Sequence, residues 1–252
     1  SAGAIMAGLV GAGARPDQVT RILEAPDFTT FLAPPDPLPL SLGTRMWTSL
    51  LKPLGEMPAA AAAFVRYGGM YSSEPIERWV NEQLRALLPD VHGPVRFKDL
   101  VLRTSIVATD LAANSVKVWS REDTPEEPVA FAVRASCSIP VFFQPAVQGS
   151  SRFVDGGLLS NLPTFVFASR ARNRGLEPVL AFRLLEAPQA NATWDWLSLA
   201  KRIAGVVVDG ATELQQSTSA PYNTIEIPTG RTEGTVVDAT DRRPVAGASI
   251  AI

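Results

Sequence analysis

Small and apolar residues recur at helical spacing from the start of the chain. In residues 1–14, S-A-G-A-I-M-A-G-L-V-G-A-G-A, Gly3, Ala7 and Gly11 fall at i, i+4 and i+8, as do Ala4, Gly8 and Ala12. That spacing predicts a helix with small residues on one face, able to lie very close to its neighbour. Arg15-Pro16 breaks it, and Asp17–Leu23 reads as a short second helix. Residues 26–58 are proline-rich, with Phe28, Phe31, Leu38, Leu40 and Trp47 among the prolines. This predicts a long irregular excursion, either a lid or a packed connector. Pro58 opens a helix through Ala59–Tyr67 that Gly68-Gly69 stops. Ser73 is the expected N-cap of the next helix, with Pro75 in its first turn. Ile76, Trp79, Val80, Leu84, Leu87 and Leu88 follow at helical spacing, and Pro89 ends the run.

From residue 100 the period changes. Leu100–Ala108 reads as a strand ending at Thr109-Asp110, and Val116–Trp119 as a second. Pro128 precedes a short helix, Val129–Ala135. Phe153–Val154 is a brief strand into the turn Asp155-Gly156-Gly157. A helix is expected from Pro163 to Arg174, a buried strand at Val179–Leu185, mostly helix from Trp194 to Gln216, and a last core strand at Thr224–Ile227. Strands alternating with helices predict an α/β domain with a mainly parallel central sheet flanked by helices. The expected domain covers residues 1–230. Residues 231–252 form a β-rich tail around Asp241–Pro244, read either as the domain's own terminus or as the start of another module.

Composition narrows the function classes. The 252 residues can bury a sizeable core, and 46% hydrophobic with 19% charged residues fits a soluble globular chain. A net charge of −2 gives no electrostatic case for nucleic acid or an anionic membrane. One cysteine, Cys137, excludes an internal disulfide, and there is no Cys/His cluster for zinc. No phosphate-binding glycine loop is present. No cofactor or metal is therefore expected. The opening apolar run is shorter than the about 20 residues that span a bilayer, so no transmembrane segment is expected. The chain is read as lacking its natural start. A bacterial cytoplasmic or membrane-peripheral location is the expectation, and composition does not choose between them.

Two stretches carry candidate chemistry. Ser1 heads the first helix, as the nucleophile heads the helix of a G-x-S-x-G elbow, although only the S-x-G half is visible. There the helix N-terminus offers unbonded N–H groups and partial positive charge to an oxyanion. An incidental serine on a Gly/Ala-rich packing helix is the plain alternative. The second stretch is F-V-D-G-G-L-L-S-N-L-P (153–163), preceded by V-R-A-S-C-S-I-P (133–140). Its Asp155 sits on a turn between a strand and a glycine pair, where the backbone can approach another loop closely. An ordinary Asp-Gly turn is the alternative there.

These stretches resemble the patatin-like phospholipase family. The matching segments are S-A-G-A-I (1–5), G-G-M-Y (68–71), A-T-D-L (108–111), A-V-R-A-S-C-S-I-P (132–140) and V-D-G-G-L-L-S-N-L-P (154–163), in the family's order and rough spacing. The resemblance covers most of residues 1–230 and implies a three-layer sandwich of the patatin-like type. It also implies a Ser–Asp dyad that cleaves lipid acyl esters, with Ser1 as nucleophile and Asp155 as base. Ala2 and Gly3 would give backbone support at the oxyanion, and Gly156 and Gly157 would support the aspartate turn. The family's glycine-rich oxyanion loop, its first strands and the Gly-x before the serine would lie upstream of Ser1. The chain as given is therefore expected to hydrolyse esters poorly. A lipid or acyl-ester substrate and peripheral contact with a membrane follow from the same resemblance.

The chemistry is consistent with that pairing. A serine hydroxyl needs a base within hydrogen-bond reach. The lone histidine, His92, lies in a Pro/Gly-flanked turn, and none of Lys52, Lys98, Lys117 and Lys201 is an obvious partner. An aspartate serves as base only where partial burial raises its pKa toward neutrality, which the apolar neighbours of Asp155 would supply. Asp110 reads as a turn or cap residue, Cys137 as a small packed residue, and Phe142 and Phe143 as core, with an acyl pocket as the alternative. Two other functions stay open. One is a non-catalytic, truncated or degenerate relative acting as a binding module. The other is an N-terminal-nucleophile amidohydrolase, in which the α-amine of Ser1 is its own base.

Overall fold

The computed structural model describes residues 2–32, 67–159, 163, 165–167, 180–185, 223–228, 233–237 and 244–251. Two compact units divide the chain, Ser1–Gly156 and Gly157–Ile252.

The first unit opens with helix α1 (Ala2–Gly11) and helix α2 (Pro16–Glu24). Ala4, Gly8, Gly11 and Ala12 are buried, as the small-residue spacing predicts, while Gly3 is exposed. A Cβ at Gly8 would touch Val133 and Val129 at 3.4 and 3.7 Å, and one at Gly11 would run into the Thr104 side chain. The absence of side chains at Gly8 and Gly11 thus lets α1 lie close to its neighbours. A 3-10 turn, Phe28–Phe31, follows and stacks its two rings on Trp79 at centroid distances of 6.4 and 5.4 Å. At this end of the proline-rich excursion Phe31 packs against the core, while Phe28 and Leu32 are exposed. Residues 33–66, which hold most of the expected excursion and all of the expected helix before Tyr67, lie outside the described residues.

Helix α3 (Glu74–Leu87) buries Ile76, Val80 and Leu84 along one stripe, the period the sequence shows. Helix α4 (Val129–Cys137) is buried on nearly every side, with Val129, Ala130, Ala132, Val133, Ala135 and Ser136 all in the interior. Strands β2 (Ser105–Asp110), β3 (Ser115–Ser120), β5 (Ala146–Gln148) and β6 (Ser151–Asp155) form one antiparallel sheet in the order β3-β2-β6-β5. Two short strands, β1 (Gly69–Tyr71) and β4 (Val141–Phe143), pair in parallel. The core under the sheet is aromatic. Trp119, Phe131 and Phe153 meet edge to face, with Trp119 and Phe153 centroids 5.0 Å apart.

Leu100–Thr104 does not continue β2, contrary to the sequence expectation. Its polar groups are engaged elsewhere. Leu102 N–H donates to the Gly11 carbonyl, and the Arg121 guanidinium donates to the carbonyls of Lys98 and Leu100. The stretch is thereby tied to the end of α1 and to the 3-10 turn Phe97–Asp99 instead of a ladder.

In the second unit, β7 (Leu180–Leu185) and β8 (Asn223–Pro228) pair in parallel, and β9 (Glu233–Val237) and β10 (Pro244–Ala251) extend them in the order β10-β9-β8-β7. The tail after Arg231 is the expected antiparallel β-pair, and it is laddered onto β8. Ala181 and Ile225 are buried, but Leu180 and Phe182 are more than half exposed, so β7 is covered on one face and not the fully buried strand expected. The expected helices at 163–174 and 194–216 fall largely or wholly outside the described residues. The α/β class holds. Among the described residues the parallel pairs are β1–β4 and β7–β8, and the remaining strand pairs are antiparallel.

Candidate active site

Asp155 is the last residue of β6 and is partly buried. Its main chain is held on both sides. The N–H donates to the Ser138 carbonyl at 2.9 Å, and the carbonyl accepts from Thr109 Oγ1 at 3.3 Å. Gly156, the next residue, is buried, and a Cβ there would lie 2.7 Å from the Val107 carbonyl oxygen. Only glycine lets the turn press so close to β2. Gly157 is buried too, within the 3-10 turn Gly156–Leu158. Asp155 and Gly156 thus form a closely packed corner against β2. Strand periodicity puts Asp155 on the same face as Phe153, the face that Phe131 of α4 packs against.

Ser1 lies outside the described residues. Ala2 opens α1, and Gly3 is exposed in its first turn. The structure describes the frame on which α1 rests, which is α4 and β2, and that frame also carries Asp155. Of the two residues of the expected dyad, Asp155 is among the described residues and Ser1 is not.

Other candidates take simpler places. His92 is exposed in the loop after α3. Lys98 pairs with Glu126 at 2.8 Å at the surface, and Lys117 lies over the Trp119 ring; Lys52 and Lys201 lie outside the described residues. Cys137 is buried, and burial pushes its thiol pKa up, with the negative charge of Asp155 adding to the shift. A thiol so placed is a poor nucleophile. Phe143 packs on the core and Phe142 stacks on Tyr71 at 5.6 Å. Among the described residues no group of acidic, histidine or cysteine side chains could hold a metal. No described helix is long and apolar enough to cross a membrane.

Asp110 is a turn residue, as its position suggests. Its Oδ1 accepts from the N–H groups of Ala112 and Ala113 at 2.9 and 3.3 Å. Burial alone would raise its pKa, but the Ser151 hydroxyl and the N–H groups of Ala112, Ala113 and Arg152 outweigh that and hold it below the ordinary value.

The sequence gives no role to Arg134, Ser138 or Thr109, and to Ser73 only that of a helix N-cap. Arg134 has one legible signal, a lone cation in the otherwise apolar helix V-A-F-A-V-R-A-S-C. Ser73 sits at the N-cap position of α3, but its hydroxyl makes no cap bond; it faces Arg134, Ser138 and Gln144 instead.

The family model for patatin-like phospholipase matches residues 1–168, and the chain belongs to that family. YqhO of Bacillus subtilis (strain 168) is 32% identical over 202 residues, 76% of this chain and 62% of YqhO. Probable lipid hydrolase 463L of Invertebrate iridescent virus 6 is 28% identical over 100 residues, 38% of this chain and 34% of the viral protein. Among solved structures, VipD from Legionella pneumophila superposes with a TM-score of 0.46 at 18% identity, covering 98% of this chain and 57% of VipD. The chain thus spans less than two thirds of the length of these relatives.

Proposed function

We propose that this chain is the greater part of a serine acyl hydrolase that cleaves lipid acyl esters through a Ser1–Asp155 dyad. The observation that carries the reading is the D-G-G corner, a partly buried aspartate whose backbone is clamped by Ser138, Thr109 and the Gly156–β2 contact. Membership of the patatin-like phospholipase family supports the lipid substrate.

In this reading Asp155 takes the proton of the Ser1 hydroxyl as its oxygen attacks the ester carbonyl. The first-turn N–H groups at Ala2 and Gly3 meet the developing oxyanion. Asp155 returns the proton to the leaving alcohol. Water then cleaves the acyl-enzyme by the same route, and the serine is restored. Gly156 and Gly157 support the aspartate corner. Residues 1–230 are proposed as the hydrolase domain, with the tail strands β9 and β10 extending its last sheet. Contact with a lipid surface would be peripheral.

The test is Ser1→Ala and Asp155→Asn in the full-length protein, assayed on a short-chain p-nitrophenyl ester and on phospholipid vesicles. Loss of hydrolysis in both variants, with folding retained, is the expected result. Full turnover in Ser1→Ala would sink the reading and place the nucleophile on another residue, whereas no hydrolysis by the unsubstituted full-length protein would favour a binding module. Acetylation of the Ser1 α-amine in the 252-residue chain addresses the amidohydrolase alternative, which needs that amine; the helical conformation of Ala2–Gly11 counts against it.

A further inference from the structure

We infer that Arg134 and Ser73 are positioning residues for Asp155, acting through Ser138. The inference rests on Asp155 being the base of the proposed dyad.

Arg134 lies in the last turn of α4 with its side chain only 15% exposed. A guanidinium so enclosed must find partners. Its Nη1 donates to Glu77 at 2.9 Å, Glu74 stands 3.7 Å from Nη2, and Nε donates to Ser73 Oγ at 3.0 Å. The Ser73 hydroxyl in turn reaches the Gln144 carbonyl at 3.4 Å. The Ser138 hydroxyl lies 3.1 Å from Ser73 Oγ and 2.9 Å from the Arg134 carbonyl, and its single proton serves one of the two. Ser73 and Ser138 are both completely buried.

A staple between α3 and α4 would need only Arg134 and the two glutamates. The network goes further. It grips both ends of residues 138–144, the segment whose first carbonyl accepts the Asp155 N–H at 2.9 Å. That segment is not relaxed. Val141, a β-branched residue, has φ +73°, a conformation such side chains adopt only when their surroundings impose it. Val141 is bracketed by the Phe143 N–H bond to the Ile139 carbonyl at 2.9 Å, by the β1–β4 pairing, and by Ser138 and the Ser73–Gln144 contact at the two ends of the segment. Released, the segment would move the Ser138 carbonyl, and the Asp155 backbone with it. The planar fork of arginine suits the task because two of its N–H directions are fixed relative to each other, which a lysine ammonium does not reproduce.

The test compares Ser73→Ala, Arg134→Met and Arg134→Lys in the full-length protein, each alone and combined with Asp155→Asn, on p-nitrophenyl butyrate. Thermal melting reports the folded fraction. Positioning predicts a fall in kcat of about 10- to 100-fold in Ser73→Ala and Arg134→Met, the scale of a misplaced catalytic group. KM should change little, and Arg134→Lys should recover part of the loss. In the Asp155→Asn background the same changes should cost nothing further, because the group they position is already disabled. Wild-type kcat in Ser73→Ala and Arg134→Lys beside an inactive Asp155→Asn overturns the inference and leaves the dyad standing. Losses that multiply in the Asp155→Asn background overturn it as well, since they show a general loosening of the fold. Normal turnover in Asp155→Asn removes the dyad, and the inference falls with it. If Arg134→Met does not fold, Ser73→Ala and Arg134→Lys decide.

Discussion

Asp110 and Asp155 end neighbouring strands of one antiparallel sheet, at opposite ends of the β2–β6 ladder, where Asp110 pairs with Phe153 and Asp155 with Ala108. Each ends a buried strand segment and precedes a turn, A-T-D-L-A-A-N in one case and F-V-D-G-G in the other. Their fixing differs. At Asp110 the carboxylate itself caps the next turn, accepting from Ala112 and Ala113. At Asp155 the main chain is bonded to Ser138 and Thr109, and Gly156 brings the corner close to β2. A carboxylate used to cap its own turn, with its pKa lowered by those donors, is a poor proton acceptor. One sheet therefore presents a structural aspartate at one end and the proposed base at the other.

The sharpest way to break this contrast is to neutralise each aspartate. Asp155→Asn should lower kcat on a chromogenic ester by about 10²-fold or more, the usual cost of losing a general base. Asp110→Asn should leave turnover close to normal. Equal losses in the two variants would erase the distinction. Gly156→Ala comes next. Its methyl would meet the Val107 carbonyl, so urea denaturation should show a loss of about 1–3 kcal/mol, with turnover falling as the corner shifts. An unchanged midpoint would mean that the close approach to β2 is not required.

Asp110→Asn has a smaller effect, confined to stability. Weaker acceptance from the turn N–H groups should cost about 1 kcal/mol at neutral pH. Because the folded pKa is depressed, the carboxylate's contribution is whole above its unfolded pKa and is lost as the pH falls through the folded value. Melting curves of the two proteins should therefore converge in acid. A gap that persists below the carboxylate range would assign the difference to shape instead of charge. The least effect is expected for Thr109→Val, which removes the long bond to the Asp155 carbonyl and should cost about 0.5 kcal/mol. A large loss of turnover there would make Thr109 a main support of the base and shift weight away from Ser138.

Local pattern alone carried much of this protein. Ile76, Val80 and Leu84 mark the buried stripe of α3 because neighbours on a helix face are three or four residues apart. The small residues of α1 foretell its close packing, and the D-G-G stretch singles out Asp155, because glycine's conformational freedom is a property of the residue itself. Tertiary structure decided what depends on partners remote in sequence. β1 and β4 are three residues each and exist as strands only through one another, 69 against 141. Leu100–Thr104 is as apolar as a strand, yet Gly11 and Arg121 claim its polar groups. Ser73 has the sequence of a helix cap, but Arg134, 61 residues away, takes its hydroxyl. Short-range periodicity records which face of an element is apolar. It holds no information on which distant donor reaches a given oxygen first, and in this chain that choice sets how the Asp155 corner is held.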